Sequence, residues 1–166
     1  MDYPIVDGRV QTRALEYHIT DHCNLRCDHC CSFSPILKKW LADPVAFRED
    51  LIAVRRVVRP EFLKIVGGEP LLHPQLELLL VTAHELQVGA RIQLTTNGIL
   101  LRQLTPRSWD CIQMLSVSLY PEPALPKDLT EFMNVMGDVA RRLQPLGQLA
   151  ESAGGDRKST RLNSSH

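Results

Sequence analysis

Residues 14–30 read ALEYHITDHCNLRCDHC, a strand-like run that ends in a cluster of cysteines. The first seven residues are rich in side chains that favour extended backbone, which predicts a strand over 14–20. The loop beyond it, DHCNLRCDHCCSFSP at 21–35, carries four of the chain's five cysteines within nine positions. Cys23, Cys27 and Cys30 form C-x3-C-x2-C on that loop. Three thiolates from one short loop suit three corners of a cubane iron–sulfur cluster, because thiolate is the soft ligand such clusters require. The fourth iron then has no ligand from this motif, which leaves a position where a small molecule can bind and be activated.

Two other chemistries compete for these cysteines. Structural zinc takes four protein ligands, commonly as two separated pairs. Cys27 and Cys30 make one pair, with Cys23, Cys31 or His22 to complete it locally, but the sequence has no second C-x2-C pair and Cys111 stands apart. A simple electron-transfer cluster needs a fourth cysteine, for which only Cys31 or Cys111 is available. A single catalytic thiol leaves the clustering unexplained. Cys111 reads as core, as free cysteine usually does.

Composition sets the frame. The 166 residues suffice for one domain with a real core, and 44% of them are apolar. Nineteen basic residues balance nineteen acidic ones with no dense basic stripe, so nothing indicates nucleic acid. No stretch approaches the roughly 20 apolar residues of a membrane span, and the first residues are too polar for a secretory signal. The expected place is the cytoplasm, where clustered cysteines more often hold metal than form disulfides.

Outward from the cysteines the chain alternates. Asp43-Pro44 reads as a helix start, with Phe47, Leu51, Val54 and Val58 at helical spacing and Pro60 closing the segment. A second strand, FLKIV at 62–66, runs into GGEP at 67–70. A helix follows with Leu76, Leu79, Leu80, Ala83 and Leu86 on one face and Gly89 as its stop. RIQLTT at 91–96 makes a third strand, then a weaker helical stretch spans 99–109, and IQMLSVSL at 112–119 makes a fourth strand. A fourth helix carries Phe132, Val135, Met136, Val139 and Leu143. Four repeated β-α units predict parallel strands joined by right-handed crossovers, in an open sheet or part of a barrel.

Each predicted strand ends in a motif. Adjacent glycines in GGEP let backbone approach a ligand closely. TTNG at 95–98 and SVSLY at 116–120 close the third and fourth strands. All these motifs and the cysteine loop fall at the C-terminal ends of consecutive parallel strands, the edge where α/β folds build their sites.

The cysteine spacing followed by GGEP resembles the radical SAM superfamily. That resemblance covers about residues 14–120 and implies an incomplete (β/α) partial barrel with four of six βα units. It implies that Cys23, Cys27 and Cys30 hold a 4Fe–4S cluster which binds S-adenosylmethionine. One electron, from a donor such as flavodoxin or ferredoxin, then cleaves the sulfonium to a 5′-deoxyadenosyl radical that abstracts hydrogen from a substrate the sequence does not identify. His29 fills the place of an aromatic residue near the adenine. Gly67 and Gly68 are implied to meet the amino group of the methionine portion, with Glu69 and Pro70 shaping the turn. Ser118 matches a cofactor-contacting serine, and the resemblance implies that Thr96 or Asn97 lies near substrate or cofactor. Tyr120 departs from the family's aspartate at its position.

By this reading residues 1–13 are an N-terminal extension and 14–145 a truncated core. The truncation implies an exposed outer edge on the fourth strand. Residues 146–155 are expected to be a disordered end of the native sequence. The tail DRKSTRLNSSH, residues 156–166, resembles a translated sequencing adapter at all eleven codons. It is therefore expected to lie outside the fold.

Overall fold

The computed structural model describes residues 3–118, 149–151 and 159–163. The sheet begins with β1 (Ile5–Val6) and β2 (Arg9–His18), an antiparallel pair joined at Asp7-Gly8. Both turn residues have positive φ, 51° and 72°, as a tight hairpin requires. The strand predicted over 14–20 is therefore β2, which starts earlier, at Arg9 within the predicted extension, and ends at His18.

Three crossovers follow. Helix α1 (Pro44–Val54) leads to β3 (Val58–Val66), α2 (Leu76–Leu86) to β4 (Arg91–Thr96), and α3 (Pro106–Cys111) to β5 (Met114–Ser118). Strands β2, β3, β4 and β5 are adjacent in chain order and mutually parallel. Successive right-handed crossovers in one direction put the helices on one face. Accordingly α1 packs on α2, and α2 on α3. This is the wind of a partial barrel, as expected, and the sheet is not closed.

Local chemistry explains the element ends. Asp43 caps α1, its carboxylate accepting the N–H groups of Val45 and Ala46 at 3.0 Å, with Pro44 at the first helical position. The predicted run to Val58 is too long, since α1 stops at Val54 and Val58 opens β3. Pro60 does not close a helix but sits inside that strand. Its carbonyl accepts from Ala90 N, so its missing N–H faces the β4 side, where β4 has not yet begun. Helix α2 ends at Leu86, capped not by Gly89 but by Gln87, whose φ of 48° is left-handed. Gly89 instead permits a close approach, since a Cβ there would stand 2.7 Å from Leu63 N. The weak helical stretch divides into a 3-10 turn, Leu101–Gln103, and α3. The predicted fourth helix lies outside the described residues.

Two segments expected outside the core join the sheet as β6 (Leu149–Glu151) and β7 (Ser159–Asn163). β7 runs antiparallel along β5 from Ser118↔Ser159 to Met114↔Asn163. The outer edge of β5 is thus covered, contrary to expectation.

The core lies between sheet and helices. Phe47 and Leu51 of α1, Leu79 and Leu80 of α2, and Leu63, Ile65 and Leu94 of the strands are all 0% exposed. Tyr17 meets Phe47 edge to face with ring centroids 4.7 Å apart. Phe47→Ala should cost about 3–5 kcal/mol, read as a lower urea midpoint. Val45→Ala, on the same helix but 65% exposed, should move stability by no more than about 0.5 kcal/mol.

Candidate functional site

The cysteine loop leaves β2 at Ile19 and Thr20 and is pinned where it returns. Ala42 N donates to Ile19 O at 2.8 Å, Asp21 N to Trp40 O at 3.1 Å, and the Thr20 hydroxyl to Trp40 O at 3.0 Å. Between these points run Cys23, Cys27 and Cys30, all free thiols and all half-buried. Cys31 is exposed. Burial pushes the Cys23 thiol up, partly offset by the Leu25 N–H, while Glu69, Cys27 and Cys30 add repulsion. Burial also raises Cys27, followed by the nearby Cys30, Asp28 and Cys31. The three predicted ligands therefore share one electrostatic neighbourhood.

The GGEP turn lies directly against this loop. Gly68 N donates to Thr20 O at 2.7 Å and Glu69 N to His22 O at 2.8 Å. The Ser32 hydroxyl donates to Gly67 O at 3.0 Å. A Cβ at Gly68 would stand 2.5 Å from both His22 O and Ser34 Oγ, so only glycine admits this contact. The glycines thus serve first to seat the cysteine loop. Pro70 is buried and opens a 3-10 turn, Pro70–Leu72.

Glu69 is the centre of the edge. It is 0% exposed, yet each carboxylate oxygen is engaged. Oε1 accepts from Leu71 N at 3.0 Å and from the Thr96 hydroxyl at 2.7 Å, and Oε2 accepts from Asn97 N at 2.7 Å. The Asn97 amide in turn donates to Asn24 Oδ1 at 2.7 Å, back on the cysteine loop. Ser118 ends β5 just beyond the Thr96↔Val117 pair, on the same edge. His29 is exposed on the loop. Thr96 and Asn97 are marked by the TTNG turn motif and by the family resemblance. Asn24 carried no signal, because its partner lies 73 residues away.

Three free thiols on one loop are the soft donor set that a multi-iron cluster takes. Among the described residues no three His, Cys, Asp or Glu side chains gather closely enough to hold one metal ion. The ligands of a cubane bind different irons and need not converge on one point. Ser34 Oγ, beside Gly68, is the one buried side-chain polar atom without a hydrogen-bond partner among the described residues. An unpaired hydroxyl there suits a polar ligand.

This arrangement sets a cysteine-bearing loop against the GGEP turn at the C-terminal edge of a parallel sheet. The family model of the radical SAM superfamily matches residues 17–151, and the chain belongs to that superfamily. The GTP 3′,8-cyclase of Staphylococcus saprophyticus is 32% identical over 119 residues, covering 64% of this chain and 34% of that protein. The mouse molybdenum cofactor biosynthesis protein 1 is 35% identical over 95 residues, covering 56% of this chain and 15% of that protein. The chain thus spans about a third or less of the length of these curated relatives. Among solved structures, Streptococcus suis SuiB bound to its precursor peptide SuiA gives a TM-score of 0.46 at 18% identity, covering 64% of this chain and 22% of that one. Radical SAM proteins use a 4Fe–4S cluster and S-adenosylmethionine, and these are the cofactors of this family's site.

Burial raises the Glu69 carboxyl, and the N–H groups of Asn97 and Leu71 and the Thr96 hydroxyl pull it back only in part. A raised folded value means that the stability this proton confers is full below the ordinary glutamate range and is lost as pH rises through the folded value. Glu69→Ala leaves buried donors bare, at about 1–3 kcal/mol for each one left unsatisfied. In urea titrations between pH 4 and 8, the advantage of wild type over E69A should shrink as pH rises. An advantage that grows with pH would contradict the assignment.

Proposed function

We propose that this chain is the cofactor-binding part of a radical SAM enzyme, with Cys23, Cys27 and Cys30 as the three ligands of a 4Fe–4S cluster. One observation carries the reading. The cysteine loop is docked on the GGEP turn by Gly68 N→Thr20 O and Glu69 N→His22 O, so the metal-ligating and cofactor-facing motifs form one surface. When bound, the cluster and S-adenosylmethionine supply reductive cleavage of the sulfonium and hydrogen abstraction from a substrate.

The chain's own residues do the positioning. The pinned loop base limits where the three thiols can reach. Half-burial keeps Cys23 and Cys27 as neutral thiols until metal displaces their protons. The Gly67-Gly68 backbone and Ser34 Oγ offer polar atoms beside the cluster loop for the amino-acid end of the cofactor. Ser118 and His29 stand on the same edge for its nucleoside end. An electron donor such as flavodoxin or ferredoxin and a cytoplasmic setting complete the reading; among the described residues no helix is long and apolar enough to cross a membrane. The relatives' name makes GTP the first substrate to try with the whole protein.

Reconstituted anaerobically with iron and sulfide, the protein should hold about four irons per chain. The EPR signal of the reduced cluster should shift when S-adenosylmethionine is added. Replacing Cys23, Cys27 and Cys30 with alanine should abolish cluster binding. One tightly held zinc in folded protein, with no cluster formed, would instead give the cysteines a structural role.

A further inference from the structure

Asn97 stands at the C-terminal end of β4, 5% exposed, with both ends of its hydrogen-bonding capacity fixed. Its backbone N–H donates to Glu69 Oε2 at 2.7 Å, and its Oδ1 accepts from Ile99 N at 3.1 Å. An amide whose oxygen is held by an N–H must present its nitrogen elsewhere. That nitrogen donates to Asn24 Oδ1 at 2.7 Å, which fixes the orientation of the Asn24 amide as well. Asn24 directly follows Cys23, and Cys23 Sγ lies 3.9 Å from the same Oδ1.

We propose that Asn97 and Asn24 form a side-chain latch that positions the Cys23 end of the cysteine loop against the end of β4. Both are positioning residues, since they act on the ligand-bearing loop rather than on a reacting atom. The inference rests on the cluster-ligand role of Cys23 given above. Its physical content is the placement of Cys23, which is measurable without any cluster.

The latch links the loop to a point the backbone contacts do not reach. Gly68 and Glu69 hold the loop at Thr20 and His22 from the β3 side. Asn97 holds it at Asn24 from the β4 side, so Cys23 is fixed between two strands. Because Glu69 also accepts from Asn97 N, the same carboxylate stands behind both anchors.

The test is alkylation of the metal-free, reduced full-length protein with iodoacetamide, read residue by residue by peptide mass spectrometry. Asn97→Ala and Asn24→Ala should each speed modification of Cys23 about fivefold, the factor set by losing one ordinary hydrogen bond. The double variant should be no faster than Asn24→Ala, because that single change already removes the Asn97 contact. Asn24→Asp keeps the acceptor and should be no faster than wild type. Asn97→Asp loses the donor and should match the alanine variant. Buried Cys111 reports on the fold and should stay protected throughout. Should N97A expose Cys111, the exposed position 24 decides alone, since N24A removes the latch without touching the core. Unchanged Cys23 reactivity in N24A, or additive effects in the double variant, would overturn the latch. Failure of wild type to assemble a cluster would overturn the proposed function and leave the alkylation result standing.

Discussion

The site depends on a carboxylate that has no solvent. Glu69 is completely buried, and taking a carboxylate out of water is costly unless hydrogen bonds replace the lost hydration. Here they do so in part, from two places in the chain: the turn that Glu69 itself begins, and the end of β4 through the Thr96 side chain and the Asn97 backbone. The carboxylate thereby joins the ends of β3 and β4. Its own N–H adds the loop after β2 through His22 O. Consecutive parallel strands would otherwise end in independent loops, each free to move. One buried acceptor makes their ends a single unit.

Backbone proximity follows from this joint. The loop after β2 can approach the turn after β3 only because Gly67 and Gly68 carry no side chains, since a Cβ at either would stand 2.5 Å from a backbone oxygen of the loop. The two glycines and the glutamate of GGEP therefore have separable tasks. The glycines let the loop come close, and the glutamate keeps it there. Proline next to them starts the 3-10 turn whose Leu71 N–H reaches back to the carboxylate.

Sequence patterns reveal those parts of this architecture that are local. The strand over 91–96 and the core face of α2 follow from periodicity within a few residues, and the cysteine triad follows from spacing. Local signals mislead where tertiary context overrides them. Pro60 reads as a terminator, but it lies on the strand flank where no neighbour demands its N–H. Gly89 reads as a helix stop, but Gln87 takes the left-handed position and Gly89 answers to the packing of Leu63. Nothing local marks the Asn24–Asn97 contact, because each asparagine alone reads as an ordinary turn residue. Glu69 shows the same limit. Its place in a turn motif is legible, but its burial and its partners on β4 are not.

The loop's two kinds of anchorage bear on how the proposed cluster site could be ordered before its metal arrives. Cys23 and Cys27 have raised thiol affinities for protons, chiefly through burial, so without metal they remain neutral and do not force one another apart. Two thiolates at Cys23 and Cys27 would repel, and the loop would have to open to relieve them. Protonation of these two removes that cost, while the pinned base at Ile19–Ala42 and the contacts to Gly68, Glu69 and Asn97 bear the ordering entropy in advance. On the proposed assignment, a metal would displace protons from thiols already in place, instead of gathering them from a disordered loop.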